Sequence, residues 1–187
     1  MKGIYCMAKK NDWVDWLKTI IITAVIVLLF RMFIAVPIVV EGPSMEPTLE
    51  NNDRLIVQKF SVMFEEPERF DIVVFHATAK KDYIKRVIGL PGETVRYEDD
   101  QLYINDQPIE EPFLDQLKNK DRKNTANFTL NEIPGNAERV PEDHVFVLGD
   151  NRSNSTDSRH LGFIPMDQII GIANVTYWPF ENIGIIE

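Results

Sequence analysis

The sequence predicts one apolar helix followed by a mainly β domain built from antiparallel sheet. Three observations lead to this prediction: a long apolar run near the start, short alternating apolar segments between turn residues after it, and no extended helical periodicity beyond the run. Of the 187 residues, about 147 follow the run, which is enough for a hydrophobic core. With 44% apolar residues, the composition excludes a wholly disordered or low-complexity chain.

The apolar run covers residues 19–40 and contains one charge, Arg31. A helix of about 20 apolar residues spans a bilayer and satisfies its own backbone hydrogen bonds there. Pro37 disfavours helical backbone at Val36, so the helix is expected to end near that residue. We therefore predict a cytoplasmic segment over residues 1–18, a transmembrane anchor over residues 19–37 and an extracytoplasmic β domain over residues 38–187.

The charge distribution indicates how the chain is oriented. Residues 1–31 carry five basic and two acidic side chains, a net charge of +3 within a total of −9. Basic residues collect on the cytoplasmic side of membrane helices, which favours a single-pass plasma-membrane protein with a cytoplasmic N-terminus. The basic residues before the run are Lys2, Lys9, Lys10 and Lys18. Two alternatives fit less well: a buried core helix would have a polar face, and a cleaved secretory signal would need a small residue where Phe33 stands.

The same composition excludes several functional classes. An acidic chain argues against nucleic-acid binding through bulk positive charge. A single cysteine, Cys6, excludes an intrachain disulfide framework and a cysteine-rich zinc site. No two histidines have the spacing of zinc ligands. We therefore expect no nucleic-acid partner, no metal and no cofactor.

After the run, the predicted strands cover residues 54–60, 71–75, 83–89, 94–97, 101–105, 144–148 and 169–178. Residues 94–105 read as a hairpin whose turn is Glu98-Asp99-Asp100. Residues 107–140 are polar with little periodicity, and we expect a long excursion with weak strands there.

A proline-bracketed serine follows the apolar run, in residues 42–49 (GPSMEPTL). Pro43 and Pro47 restrict the backbone on both sides of Ser44, so the serine hydroxyl and N–H are held in a fixed geometry. An ordinary turn serine is the simpler interpretation. The hydrolase pattern G-x-S-x-G fails at its last position, Glu46.

The predicted strand over residues 83–89 carries Lys85 on the same face as Tyr83 and Val87. Desolvation against apolar neighbours lowers the pKa of a lysine, and the neutral amine then acts as a base for a serine hydroxyl. The alternative is an edge-strand lysine that deters aggregation. The 41-residue spacing between Ser44 and Lys85 does not show whether they meet.

A third segment, residues 149–159 (GDNRSNSTDSR), is dense in small polar side chains, aspartate and arginine. In solvent it would be an ordinary polar loop. If buried, it would form a hydrogen-bond network that orients a catalytic group.

Together these segments resemble the bacterial type I signal peptidases, membrane-anchored leader peptidases of the Ser-Lys class, in their short Gram-positive form. The resemblance is collinear and rests on the anchor and on residues 44–49, 71–75, 83–92 and 149–159. It implies an SH3-like or barrel-like antiparallel β domain. It also implies cleavage of signal peptides after small-x-small sites through an acyl-enzyme, with preproteins emerging from the secretion translocase and the lipid bilayer as partners.

The resemblance assigns roles to individual residues. Ser44 would be the nucleophile and donate its N–H to the oxyanion, and Lys85 would be the general base and then the acid. Ser155 would hydrogen-bond and orient Lys85. Some members have a serine as second oxyanion donor two residues before the nucleophile, where this chain has Gly42. The supporting ion pairs would be Asp157–Arg159 and Asp150–Arg86, and the pocket residues would be Val40, Met45, Leu49, Tyr83 and Ile84.

Two other hypotheses remain open. A self-cleaving repressor-type Ser-Lys peptidase is disfavoured by the anchor and by the absence of a DNA-binding module. An inactive anchored protein that captures export substrates is disfavoured because both Ser44 and Lys85 are present.

Overall fold

The computed structural model describes residues 12–33, 35–59, 62, 66–78, 81–114 and 125–186. A long helix, α1 (Asp12–Phe33), leads into a body of antiparallel strands. Residues 1–11, which make up most of the predicted cytoplasmic segment and include Cys6, lie outside the described residues. Elsewhere in the described chain the helical elements are short: one turn of α-helix, α2 (Ser158–Leu161), and several 3₁₀ turns.

Helix α1 exposes its apolar side chains rather than packing them against the β body. The exposed apolar residues between positions 17 and 28 are Leu17, Ile20, Ile21, Ile22, Val25, Ile26, Val27 and Leu28. Within the described residues, we find no helix that combines the length and apolar character needed to cross a bilayer.

The chain leaves the helix earlier than the sequence predicts. Helix α1 ends at Phe33, and Pro37 lies inside strand β1 (Ala35–Val39), which pairs with β2 (Arg54–Gln58). Proline is compatible with β1 because this strand pairs on one side only among the described residues. The predicted boundary between anchor and β domain therefore falls within a strand of the body.

The strands that join β1 and β2 in the larger sheet are β3 (Ile72–Thr78), β4 (Lys81–Gly89), β9 (His144–Leu148), β10 (Ile164–Pro165), β11 (Ile169–Trp178) and β12 (Gly184–Ile185). Among the described residues this sheet has eight strands, in the order β1-β2-β11-β3-β4-β9-β10, with β12 paired to β11. Every pairing in it is antiparallel. The mainly β, antiparallel fold predicted from the sequence is confirmed.

A smaller sheet is formed in the described chain by four strands: β5 (Val95–Glu98), β6 (Gln101–Ile104), β7 (Gln107–Ile109) and β8 (Phe128–Thr129). Their order is β7-β6-β5-β8. The predicted hairpin turn is present: Asp99 and Asp100 adopt positive φ angles, as a two-residue hairpin turn requires. The predicted polar excursion contains β7, β8 and short 3₁₀ turns, and its residues 115–124 lie outside the described part.

Three groups of buried apolar side chains fill the body. One joins the small sheet to β4 and β9, and includes Tyr97, Phe128 and Phe146. The second lies beneath the loop that carries Ser44 and includes Val40, Met45 and Leu49. The third lies against β3, β9 and β11. Ser44 is thus held on a loop whose base is packed into the core.

Candidate active site

Ser44 lies in the loop between β1 and β2, and this loop is closed by its own hydrogen bonds. The N–H of Val40 donates to the carbonyl of Asp53 over 2.8 Å. The N–H of Gly42, which has φ +89°, donates to Asn51 Oδ1, also over 2.8 Å. Inside the loop, the N–H of Leu49 donates to the carbonyl of Met45 over 3.0 Å. These bonds fix the backbone on both sides of the serine.

Lys85 lies in β4, opposite Val73 of β3, and only 3% of its surface is exposed. Its Nζ lies 2.8 Å from Ser44 Oγ and also donates to the carbonyl of Ile84 over 2.8 Å. The ring of Tyr83 lies 5.3 Å from the same nitrogen. The structure therefore brings together the two side chains whose meeting the sequence spacing left open.

The environment of Lys85 favours its neutral form. Burial lowers the pKa of Lys85 from 10.5 to about 8, although the negative charges of Asp157 and Asp150 partly oppose this shift. A neutral amine 2.8 Å from Ser44 Oγ is close enough to accept the hydroxyl proton of the serine. The pair has the distance and the proton affinity required for nucleophile activation.

The segment 149–159 forms a partly buried loop that holds the Ser44 backbone: Asp150, Arg152 and Asp157 are buried, whereas Ser153, Asn154 and Thr156 are exposed. The N–H of Asn151 donates to the carbonyl of Ser44, and its side-chain Nδ2 donates to the carbonyl of Pro43, both over 3.1 Å. Gly149 packs closely against Ser44 and Ser155. A Cβ at position 149 would lie 2.5 Å from the Ser44 carbonyl oxygen and 2.2 Å from Ser155 Oγ. Only glycine fits at this contact.

The predicted pair of Arg86 and Asp150 is present and fully buried. Arg86 Nε donates to Asp150 Oδ1 over 3.0 Å, and Nη2 donates to Oδ2 over 2.8 Å. Arg86 also donates to the carbonyl of Phe70, and Thr48 donates its hydroxyl to Asp150 over 2.6 Å. This bidentate pair ties β4 and the Ser44 loop to the segment 149–159.

The predicted pair of Asp157 and Arg159 is also present. Arg159 donates through Nε and Nη2 over 2.9 and 2.8 Å. Asp157 additionally accepts the N–H of Gly149 over 3.1 Å and lies at the start of α2. Burial by itself would raise the pKa of Asp157, but the hydrogen bonds and charge of Arg159 outweigh burial and lower it. Asp157 is therefore a stable negative charge near Lys85.

An open cleft of about 730 Å³ runs past the pair, between β1 and its loop on one side and β4 on the other. Four of the predicted pocket residues line it: Val40, Met45, Tyr83 and Ile84. Among the described residues, no cluster of three or more His, Cys, Asp or Glu side chains is placed to hold a metal ion.

Comparison with known proteins assigns the chain to a family. The model of the family described as signal peptidase, peptidase S26, matches residues 13–178. The chain belongs to this family. As an S26 peptidase, the protein is a serine endopeptidase.

Individual relatives agree with the family model. Signal peptidase I of Bacillus caldolyticus is 49% identical over 159 residues, covering 84% of this chain and 87% of that protein. Signal peptidase IB of Staphylococcus aureus is 38% identical over 178 residues, covering 92% and 93%. A crystal structure of a signal peptidase I from Enterococcus faecalis has 42% identity and a TM-score of 0.54, covering 58% of this chain and 97% of the solved one.

Two predicted contacts of this S26 peptidase differ in the structure. Ser155 Oγ is buried and makes no hydrogen bond to Lys85 in the described part of the chain, so the predicted bond is not formed. Lys85 Nζ instead lies against Ser44 Oγ and the Ile84 carbonyl. Leu49 does not line the cleft, because it packs into the core beneath the Ser44 loop.

The site also contains a free backbone donor. Among the described residues, the N–H of Ser44 donates no hydrogen bond. Gly42, two residues before Ser44, has no side-chain donor. The Ser44 N–H is therefore free to donate a hydrogen bond. The oxyanion-donor role that the resemblance implies for this group requires such a free donor.

Sequence reasoning missed a second buried charge cluster formed by Tyr97, Glu111 and Arg152. Arg152 Nη2 donates to Glu111 Oε1 over 2.5 Å, and the Tyr97 hydroxyl contacts both side chains. Arg152 stands in a recognised segment, but Glu111 lies 41 positions away in a stretch without periodicity. No sequence signal links the two.

Proposed function

We propose that this protein removes N-terminal signal peptides from exported preproteins, with Ser44 as nucleophile and Lys85 as general base. The observation that carries the proposal is the 2.8 Å contact between Ser44 Oγ and the nearly buried Lys85 Nζ. Membership of a signal peptidase family supports the substrate class. Neither the geometry nor the family suggests a competing reaction.

The first half of the reaction forms an ester on the enzyme. Neutral Lys85 takes the proton of the Ser44 hydroxyl as Oγ attacks the carbonyl carbon of the scissile peptide bond. The Ser44 N–H donates to the resulting oxyanion. The intermediate collapses as the Lys85 ammonium gives its proton to the leaving amine, which frees the mature protein. The signal peptide then remains joined to Ser44 as an acyl-enzyme.

The second half of the reaction uses the same pair. Lys85, neutral again, takes a proton from water, and the hydroxide attacks the ester carbonyl. As the tetrahedral intermediate collapses, the Lys85 ammonium returns its proton to Ser44 Oγ, and the signal peptide leaves as a carboxylic acid that then loses its proton to solvent. Asp157 and Asp150 keep the lysine pKa from falling further, so the amine remains basic enough to accept the proton.

The cleft supports binding of the signal peptide as an extended strand. In the described chain β1 pairs only with β2, and the first half of β4, Lys81 to Lys85, pairs only with β3. Both strands therefore face the cleft with unpaired backbone groups, which suits β-strand addition. Val40 and Met45 line the cleft with side chains that are almost fully buried in its wall. Such walls favour small residues at the −3 and −1 positions.

We further propose that α1 belongs to a single-pass membrane anchor, with the N-terminus cytoplasmic and the β body extracytoplasmic. The exposed apolar surface of α1 supports this, since such a surface is stabilised by lipid. Trp13 and Trp16 are exposed at its start, where aromatic side chains suit the membrane interface. Anchoring would hold Ser44 close to the bilayer, where preproteins emerge from the translocase.

The experiment is cleavage of one preprotein by the full chain in mild detergent, with the cut site read by mass spectrometry. Wild type should cut after a small-x-small sequence, whereas Ser44→Ala and Lys85→Ala should leave the substrate intact. Lys59→Ala removes a lysine outside the site and serves as the control. An uncut preprotein with wild type, and no labelling of Ser44 by a serine-reactive penem, would instead support an inactive binding protein.

A further inference from the structure

We propose that Glu111 and Arg152 are positioning residues, which hold the turn that fixes the Ser44 backbone and so make the small sheet part of the catalytic apparatus. The inference rests on the proposed Ser44–Lys85 chemistry. Arg152 and Glu111 are buried, and Arg152 Nη2 lies 2.5 Å from Glu111 Oε1. The hydroxyl of Tyr97 donates to Glu111 and accepts from Arg152 Nη1. Burial raises the pKa of Tyr97, so the phenol keeps the proton that it donates.

The path from this cluster to the nucleophile is short. Arg152 directly follows Asn151, whose N–H and side chain bind the carbonyls of Ser44 and Pro43. Because Glu111 restrains Arg152, it also restrains the adjacent residue Asn151, which binds the Ser44 backbone. Asn151 holds the carbonyl of Ser44. Because the N–H and Oγ of Ser44 belong to the same residue, fixing this carbonyl also restricts where they lie.

A second contact from the same short segment acts on the other side of Asn151. Phe113, two residues after Glu111, lies under the Arg86 guanidinium at 3.9 Å. Arg86 in turn holds Asp150, the residue that precedes Asn151. Asn151 is thus bracketed by two residues whose side chains depend on the segment Glu111 to Phe113.

Stability alone is a poor explanation for this cluster. A buried ion pair must overcome the desolvation of two charges, and an apolar replacement of similar volume is often neutral or stabilising. Arg152 Nε is also buried without a partner in the described part of the chain, which adds to the unfavourable terms. Fixed geometry is what the pair supplies, and a misplacement of about 1 Å at a catalytic group lowers rates by about a hundredfold.

The test compares Glu111→Gln with the control Glu93→Gln, which also removes a carboxylate that is paired with an arginine. Glu93 pairs with Arg69 at the same 2.5 Å separation, and its other carboxylate oxygen accepts the N–H of Leu90, so its described side-chain hydrogen bonds involve no residue of the segment 149–159. With the full chain in detergent and a signal-peptide substrate, Glu111→Gln should lower kcat about tenfold to a hundredfold. KM and the pH midpoint near 8 should be unchanged, because the cleft and the surroundings of Lys85 are intact. Glu93→Gln should keep kcat within about twofold of wild type.

A second variant separates positioning from folding. Glu111→Met combined with Arg152→Met replaces the pair by apolar side chains and is expected to stay folded, with a urea midpoint somewhat below that of wild type because the buried Tyr97 hydroxyl loses both partners. Its kcat and its rate of penem labelling at Ser44 should nevertheless fall as in Glu111→Gln. A folded double variant with kcat within about twofold of wild type, or an equal loss in Glu93→Gln, would overturn the inference. Failure of wild type to cleave would refute the proposed function instead.

Discussion

Lys85→Met should inactivate the protein and at the same time make it more stable at pH 7. Burial disfavours the charged form of the Lys85 amine and lowers its pKa from 10.5 to about 8. Methionine has a similar volume, fills the same apolar surroundings and does not ionise. The variant therefore removes the proton acceptor and the burial penalty together.

The magnitude follows from the two pKa values. Each pKa unit corresponds to about 1.4 kcal/mol, so the lowering from 10.5 to about 8 destabilises the folded wild type by about 3 kcal/mol below pH 8. Between about pH 8 and 10.5 the unfolded chain binds more protons than the folded one, so wild-type stability rises with pH there. Above that window the penalty is gone, and the advantage of Lys85→Met should disappear with it.

The assay is urea unfolding of the full chain in non-ionic detergent, followed by near-ultraviolet circular dichroism at pH 7 and at the highest pH the fold tolerates. Lys59→Met is the control and should shift stability by less than about 0.5 kcal/mol at either pH. The reasoning is refuted if Lys85→Met is less stable than wild type at pH 7, or if its advantage is the same at both pH values.

Three further predictions concern the backbone and charges around Ser44. Gly149→Ala should reduce preprotein cleavage at least about a hundredfold, because its Cβ would displace the Ser44 carbonyl; normal turnover by this variant would refute the close contact. Gly42→Ser should not raise kcat and should lower the free energy of unfolding by about 1–2 kcal/mol, since φ is +89°; a faster and equally stable variant would contradict this. Asp150→Asn should lower the free energy of unfolding by about 3–5 kcal/mol because Arg86 loses its buried carboxylate, and urea titration with an unchanged midpoint would disprove it.

Several strands could be predicted from sequence because their patterns are local. Strands β9 and β11 have the predicted bounds, 144–148 and 169–178, since each is an apolar run closed by turn residues. Strand β1 was missed because its residues continue the apolar run, and only pairing with β2 separates them from the helix. The two-residue strands β8, β10 and β12 are too short to show any periodicity.

The candidate site divides in the same way. Ser44, Lys85 and the ion pairs of Asp150 and Asp157 stand in segments with recognisable patterns, and the structure brings them together. Glu111 has no such pattern, because its pairing with Arg152 is decided by how the small sheet packs. The absent bond between Ser155 and Lys85 depends on side-chain rotamers, which sequence does not specify.

The most direct test is the pH dependence of Ser44 acylation in a single turnover, with the acyl-enzyme measured by mass spectrometry. If neutral Lys85 is the base, the rate should rise about tenfold per pH unit at low pH and level off above its pKa of about 8. A rate that stays constant from about pH 6 to pH 9 would contradict proton transfer from the serine to this lysine.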